Sequence, residues 1–120
     1  MRGQSAAKIR ACVRTRAYSE LRSWLSRADH ADLARGWRRL EPLHQLAAFK
    51  LMDAASALAF YRRLPYRERY LLFSGFPLQA IAPLIADAPA SMRRLFVQLP
   101  ARFHETMLQE LGRGTVEAAR

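Results

Sequence analysis

Apolar residues recur along this chain at a spacing that suits helices rather than strands. From Pro42 onward a helix-starting residue returns every 11 or 12 positions, at Pro42, Asp53, Pro65, Pro77, Pro89 and Pro100. An apolar residue directly precedes each later start (Met52, Leu64, Phe76, Ala88 and Leu99), and Leu111 closes the last block. Proline suits a first helical turn, where its missing N–H has no partner to lose, and aspartate caps such a turn and complements the helix dipole. Proline also drives the residue before it out of helical geometry, so each start ends the preceding helix. Seven positions after the starts stand Phe49, Phe60, Leu72, Leu84, Phe96 and Met107, followed directly by Lys50, Tyr61, Phe73, Ile85, Val97 and Leu108. Leu46, Leu58, Tyr70 and Ile81 fall at offsets of four or five, on the same helical face. Asp29 opens a weaker copy with Leu33, Trp37 and Leu40.

Helices of about eight residues are not stable alone in water. Stacked in pairs they share a continuous core, so the pattern predicts an all-α solenoid of short helices over residues 29–111. Pro83 falls inside the Pro77 block, where that helix either kinks or starts late. Ser74-Gly75 marks a sharper stop. Ahead of the blocks, Ala7 to Arg27 reads as one longer amphipathic helix with Ile9, Val13, Ala17, Leu21, Trp24 and Leu25 as its stripe. Residues 1–28 thus form a basic N-terminal helix that packs on the solenoid. Gly112-Arg113-Gly114 is expected to end the last helix, leaving 112–120 as a flexible tail.

Composition narrows the class. A chain of 120 residues, half of them hydrophobic, is one domain that can bury a core unaided. With Cys12 alone, an intramolecular disulfide is impossible, and Cys12 reads as a small apolar residue on a helix. No apolar stretch approaches the roughly 20 residues that cross a bilayer. The N-terminal run is interrupted by Lys8, Arg10, Arg14 and Arg16 and is no signal-peptide core, so the expected location is cytoplasmic.

The formal net charge of +10 admits acidic partners: nucleic acid, anionic lipid or an acidic protein face. Residues 1–28 hold seven basic groups against Glu20, so most of the excess is N-terminal. Arg38-Arg39, Arg62-Arg63 and Arg93-Arg94 recur late in their blocks. They serve helix C-termini, where cations are favoured, or they form a basic ridge with Arg35 and Arg67 that grips a partner. The N-terminal helix likewise has three readings: a cap on the solenoid, a partner-binding or self-associating helix, and an attachment to nucleic acid or a membrane surface. Of three tyrosines that could stack on bases, Tyr61 and Tyr70 take core offsets and only Tyr66 is expected to be exposed, which weighs against nucleic acid. His30, His44 and His104 lie in separate blocks and read as surface or capping residues. No phosphate loop, nucleophile elbow or metal-ligand spacing is present, so no catalytic residue and no cofactor is expected.

The segments His30-Ala31-Asp32-Leu33-Ala34, Arg39-Leu40-Glu41-Pro42, Ala47 to Asp53 and Arg63-Leu64-Pro65-Tyr66-Arg67-Glu68-Arg69 resemble the intracellular N-terminal domain of MgtE-type magnesium transporters. The resemblance covers about residues 29–111. It implies a right-handed superhelix acting as a non-enzymatic, magnesium-responsive regulator that packs against a protein partner. Magnesium enters only through this likeness. Asp29, Asp32, Asp53, Glu68 and Asp87 are scattered among arginines, whereas magnesium takes clustered oxygen ligands.

Overall fold

The computed structural model describes residues 4–97 and 99–119; at Gln4 and over 113–119 it describes the backbone alone. The first three residues of the basic N-terminal segment and the last residue of the tail lie outside that range. Among the described residues the chain is all-helical, with no strand.

The first departure from expectation is in the N-terminal segment. The stretch from Ala7 to Arg27 is two helices, α1 (Gln4–Arg14) and α2 (Tyr18–Leu25). Arg16 takes a left-handed conformation, φ 57°. Around it Ala17 N–H reaches back to the Cys12 carbonyl at 2.8 Å and Arg16 N–H to that of Val13 at 3.2 Å. That bond pair is how helices end on a left-handed residue, usually glycine. With arginine in the glycine position, the composition gave no stop signal. The break lets both halves bury their stripes: Ile9, Cys12 and Val13 from α1, Tyr18, Leu21 and Leu25 from α2.

Next come α3 (His30–Gly36), a 3-10 turn over Trp37–Arg39, α4 (Pro42–Leu51), α5 (Ala54–Arg63) and α6 (Tyr66–Ser74). The starts follow local chemistry. Asp29 accepts from Ala31 N–H at 3.1 Å and Asp53 from Ser56 N–H at 2.8 Å, each capping its helix. Pro42 occupies the first turn of α4, and Pro65 stands just before α6. Leu40, Met52 and Leu64, ahead of or beside these starts, are extended and buried.

The two helices directly after α6 are shorter. A 3-10 segment spans Leu78–Ile81, so the helix carrying Pro83, α7 (Ala82–Ile85), starts late with Pro83 in its first turn. Then follow α8 (Ala90–Arg94), a 3-10 turn over Leu95–Val97, and α9 (Phe103–Ala119). The last helix does not end at Gly112, as the glycines suggested, but carries through to Ala119.

The core is organised around α4, in which every residue from His44 to Leu51 is buried. Helices α1, α2 and α6 pack on it, as do the 3-10 segments at Leu78–Ile81 and Leu95–Val97; α9 packs on α5 and α6. His44 is therefore a buried residue, not the surface or capping histidine its sequence context suggested. Aromatic edges join the layers. Trp37 meets Phe60 at 4.7 Å between centroids, and Tyr18 meets Phe96 at 5.0 Å. Each such buried ring contributes about 1.5–3 kcal/mol through removal from water. Gly75 closes α6 where a Cβ would lie 2.4 Å from a Leu46 methyl, so any larger residue there would push the Leu46 side chain aside.

Three residues expected in the core face solvent: Tyr70, Val97 and Leu108. The reason is rotational register. After Pro100 a turn intervenes and α9 begins only at Phe103, so its inward face is Phe103, Met107, Glu110 and Leu111, with Leu108 turned away. Val97 lies in a 3-10 turn that buries Phe96 instead. On α6 the inward residue is Leu72, which leaves Tyr66 and Tyr70 one turn apart on the outside.

Candidate functional site

Short helices that stop abruptly leave their last carbonyls without partners. Arg10, Arg22 and Arg69 meet that need from neighbouring helices. Arg22 donates to the Leu51 carbonyl at 3.0 Å, closing α4. Arg69 donates to the Tyr61 and Arg62 carbonyls at the end of α5 and to Glu110 of α9, with its guanidinium 6.0 Å from the Tyr61 ring centroid. Arg10 donates to the Arg39 carbonyl at 3.1 Å.

The eight arginines singled out as a ridge are all exposed, but they divide. Arg62 pairs with Glu110 of α9 at 3.0 Å, and Arg35 lies 3.6 Å from Asp32 within its own helix. Arg93 and Arg94 sit on α8 and Arg63 ends α5. Arg39 lends its carbonyl to Arg10. Arg38 and Arg67 are brought together: they line one open cleft of about 560 Å³ with Leu40, Pro42, Gln45, Glu68 and Leu71. Arg38 is positioned by its Nε, which donates to Glu68 at 2.9 Å. The rest of that guanidinium remains outward, since the side chain is 76% exposed.

The floor of this cleft is apolar, with one polar exception. Gln45 is buried, and its amide nitrogen donates to the Trp37 carbonyl at 2.8 Å while Oε1, itself shielded from solvent, has no partner among the described residues. Elsewhere on α6, Tyr66 and Tyr70 stack with centroids 6.4 Å apart and are 37% and 54% exposed. Tyr70 follows Arg67 by one turn of α6, so the two lie close in angle on that helix. The exposure of Tyr70 restores a stacking surface that its core offset had argued against.

Sequence reasoning singled out no role for Lys50. It is 3% exposed in the last turn of α4, where its ammonium donates to the Phe76 carbonyl and lies 4.5 Å from the centre of the Phe76 ring. No acidic side chain among the described residues pairs with it, and burial holds its pKa down to about 8. The signal was its position: it stands in the register otherwise filled by Tyr61, Phe73, Ile85, Val97 and Leu108. Lys50 borders a second cavity, of about 220 Å³, between the Leu78 segment and the Val97 turn.

The remaining chemistry is structural. Burial pushes the Cys12 thiol up and so favours its unreactive form. Tyr61, pushed up to about 12 by burial, donates to the Met107 carbonyl at 3.0 Å. His30 packs edge-on against Phe60, and His104 stacks between Phe73 and Phe76. The carboxylates do not fit a magnesium site. Asp29 and Asp53 cap helices, Asp32 accepts from Ser5 at 2.8 Å, and Glu68 holds Arg38. Among the described residues no three His, Cys, Asp or Glu side chains come together as ligands, and no helix is long and apolar enough to cross a membrane.

Compared with known proteins, the chain matches no family model, no curated protein and no solved structure.

Proposed function

We propose that this chain is a non-enzymatic protein-interaction domain that receives an acidic, partly apolar protein segment in the cleft between Arg38 and Arg67. The observation that carries the reading is the combination lining that cleft: two guanidiniums over the apolar side chains of Leu40, Pro42 and Leu71. Guanidiniums bind carboxylates through forked, charge-assisted hydrogen bonds. The apolar side chains between them take an aliphatic side chain. A right-handed superhelix with a regulatory role belongs to the same reading, on the strength of the Leu-Pro spacing shared with MgtE N-terminal domains. Magnesium forms no part of it, because Asp29, Asp32, Asp53 and Glu68 already serve other groups.

The test is fluorescence anisotropy with a labelled peptide of alternating glutamate and leucine, compared with an all-serine peptide. Saturable binding of the acidic peptide, lost in the R38E/R67E double variant, is the expected result. Binding that survives the double variant refutes the cleft as the site.

A second reading, binding of single-stranded nucleic acid, is favoured by the exposed Tyr66–Tyr70 pair beside Arg67. It requires oligonucleotide affinity that falls steeply with salt and drops when both tyrosines become alanine. If a single-stranded oligonucleotide shows no binding at low salt, this reading is discarded.

A further inference from the structure

Lys50 is a cation enclosed without an acidic partner among the described residues, and it stands at the edge of an apolar cavity. Taking an ammonium out of water is unfavourable unless opposite charge or hydrogen bonds replace its hydration. Here the replacement is partial. The Phe76 carbonyl accepts one N–H and the Phe76 ring presents its face, whereas an ammonium has three N–H donors. The other described residues lining the cavity are all apolar, among them Phe76, Leu78, Phe96, Val97, Leu99 and Pro100. Leu78 and Val97 are also exposed at the surface, so the cavity is reached from solvent between them. Its volume of about 220 Å³ exceeds the roughly 150 Å³ that accommodates benzene in an apolar protein cavity.

We propose that this cavity is a binding site for a small carboxylate with an apolar body, an aromatic or short aliphatic acid, whose carboxylate pairs with Lys50 while the body lies against Phe76, Phe96 and Val97. The charge complement is specific: a single enclosed cation calls for a single anionic head, and the apolar walls exclude a ligand that is charged throughout. The site lies apart from the Arg38–Arg67 cleft and shares no lining residue with it. It therefore offers a place where a small metabolite acid can bind independently of the protein-binding face.

The experiment is a titration of the full chain with benzoate, hexanoate, benzyl alcohol and acetate, followed by calorimetry and by NMR shifts of the Val97 methyls and the Phe76 ring. Benzoate and hexanoate are expected to bind at least tenfold more tightly than benzyl alcohol, which lacks the anion, and than acetate, which lacks the body. K50M is expected to lose at least tenfold for benzoate and to leave benzyl alcohol unchanged. Equal affinity for benzoate and benzyl alcohol overturns the role of Lys50. Equal affinity for benzoate and acetate overturns the role of the cavity walls. Absence of benzoate binding at millimolar concentration, or binding that K50M leaves intact, overturns the site as a whole. Should K50M fail to fold, the four-ligand comparison on the unaltered chain decides the matter by itself.

Discussion

Replacing Lys50 with methionine isolates the cost of holding a charge inside this core. The ordinary lysine value is 10.5, and burial brings Lys50 down to about 8 in the folded chain. Between those values the unfolded chain keeps a proton that the folded chain has released. Stability must therefore rise with pH across this window. The penalty is fully present below pH 8 and disappears as pH passes 10.5. At 1.36 kcal/mol per pKa unit, a gap of about 2.5 units corresponds to ~3 kcal/mol. Methionine keeps a similar unbranched length and removes the ionisable group. Its other effects, including a Phe76 carbonyl left without its donor, are the same at every pH to first approximation. Urea denaturation of both chains, followed by circular dichroism at pH 7, 8, 9 and 10.5, gives the difference in unfolding free energy at each pH. Tyrosine titration is common to both chains and cancels in that difference. K50M is expected to lose about 3 kcal/mol relative to the parent as pH climbs from 7 to 10.5, because only the parent gains. A difference that stays flat across that range would falsify the assignment of Lys50 as a desolvated, unpaired ammonium.

Two further substitutions test the fold. Arg16→Gly removes the steric cost of a left-handed non-glycine residue, about 1–2 kcal/mol, less what glycine adds to the entropy of the unfolded chain. A net gain of roughly 0.5–1 kcal/mol is expected in the urea midpoint at constant slope, and a loss there would mean that the break between α1 and α2 is misplaced. Leu72→Ala opens a hole between α6 and the rest of the core, where the side chain has no exposure; it should cost about 2–5 kcal/mol, and a neutral result would remove Leu72 from the core.

Several elements were legible in the sequence because their causes are local. Asp29 and Asp53 cap helices through side chains that reach only two or three residues along the chain, and Pro42 starts one because its ring already has the right backbone angle. Pro83 delaying α7 belongs to the same class. Apolar spacing also found buried residues such as Trp37, Phe49, Phe60, Leu72 and Met107, because one helical face repeats at known intervals.

What the sequence could not settle depends on neighbours distant in the chain. A break at Arg16 carries no signature in composition; arginine is forced left-handed because α1 and α2 must both lay their stripes on α4 and its partners. The rotation that exposes Tyr70 and Leu108 is set by how α6 meets α9, not by counting from a proline. For the candidate sites the division is sharper. Arginine pairs were visible, yet spacing could not tell Arg69 and Arg22, spent on neighbouring carbonyls, from Arg38 and Arg67, left facing a cleft. Lys50 was visible only as a polar residue in an apolar register. That it is enclosed by Phe76 and borders a cavity was decided by the segments at Phe76 and Val97, which fold back over α4 from 26 and 47 positions further along the chain. Burial of a charge is a property of everything around it, and only the tertiary structure assembles those surroundings.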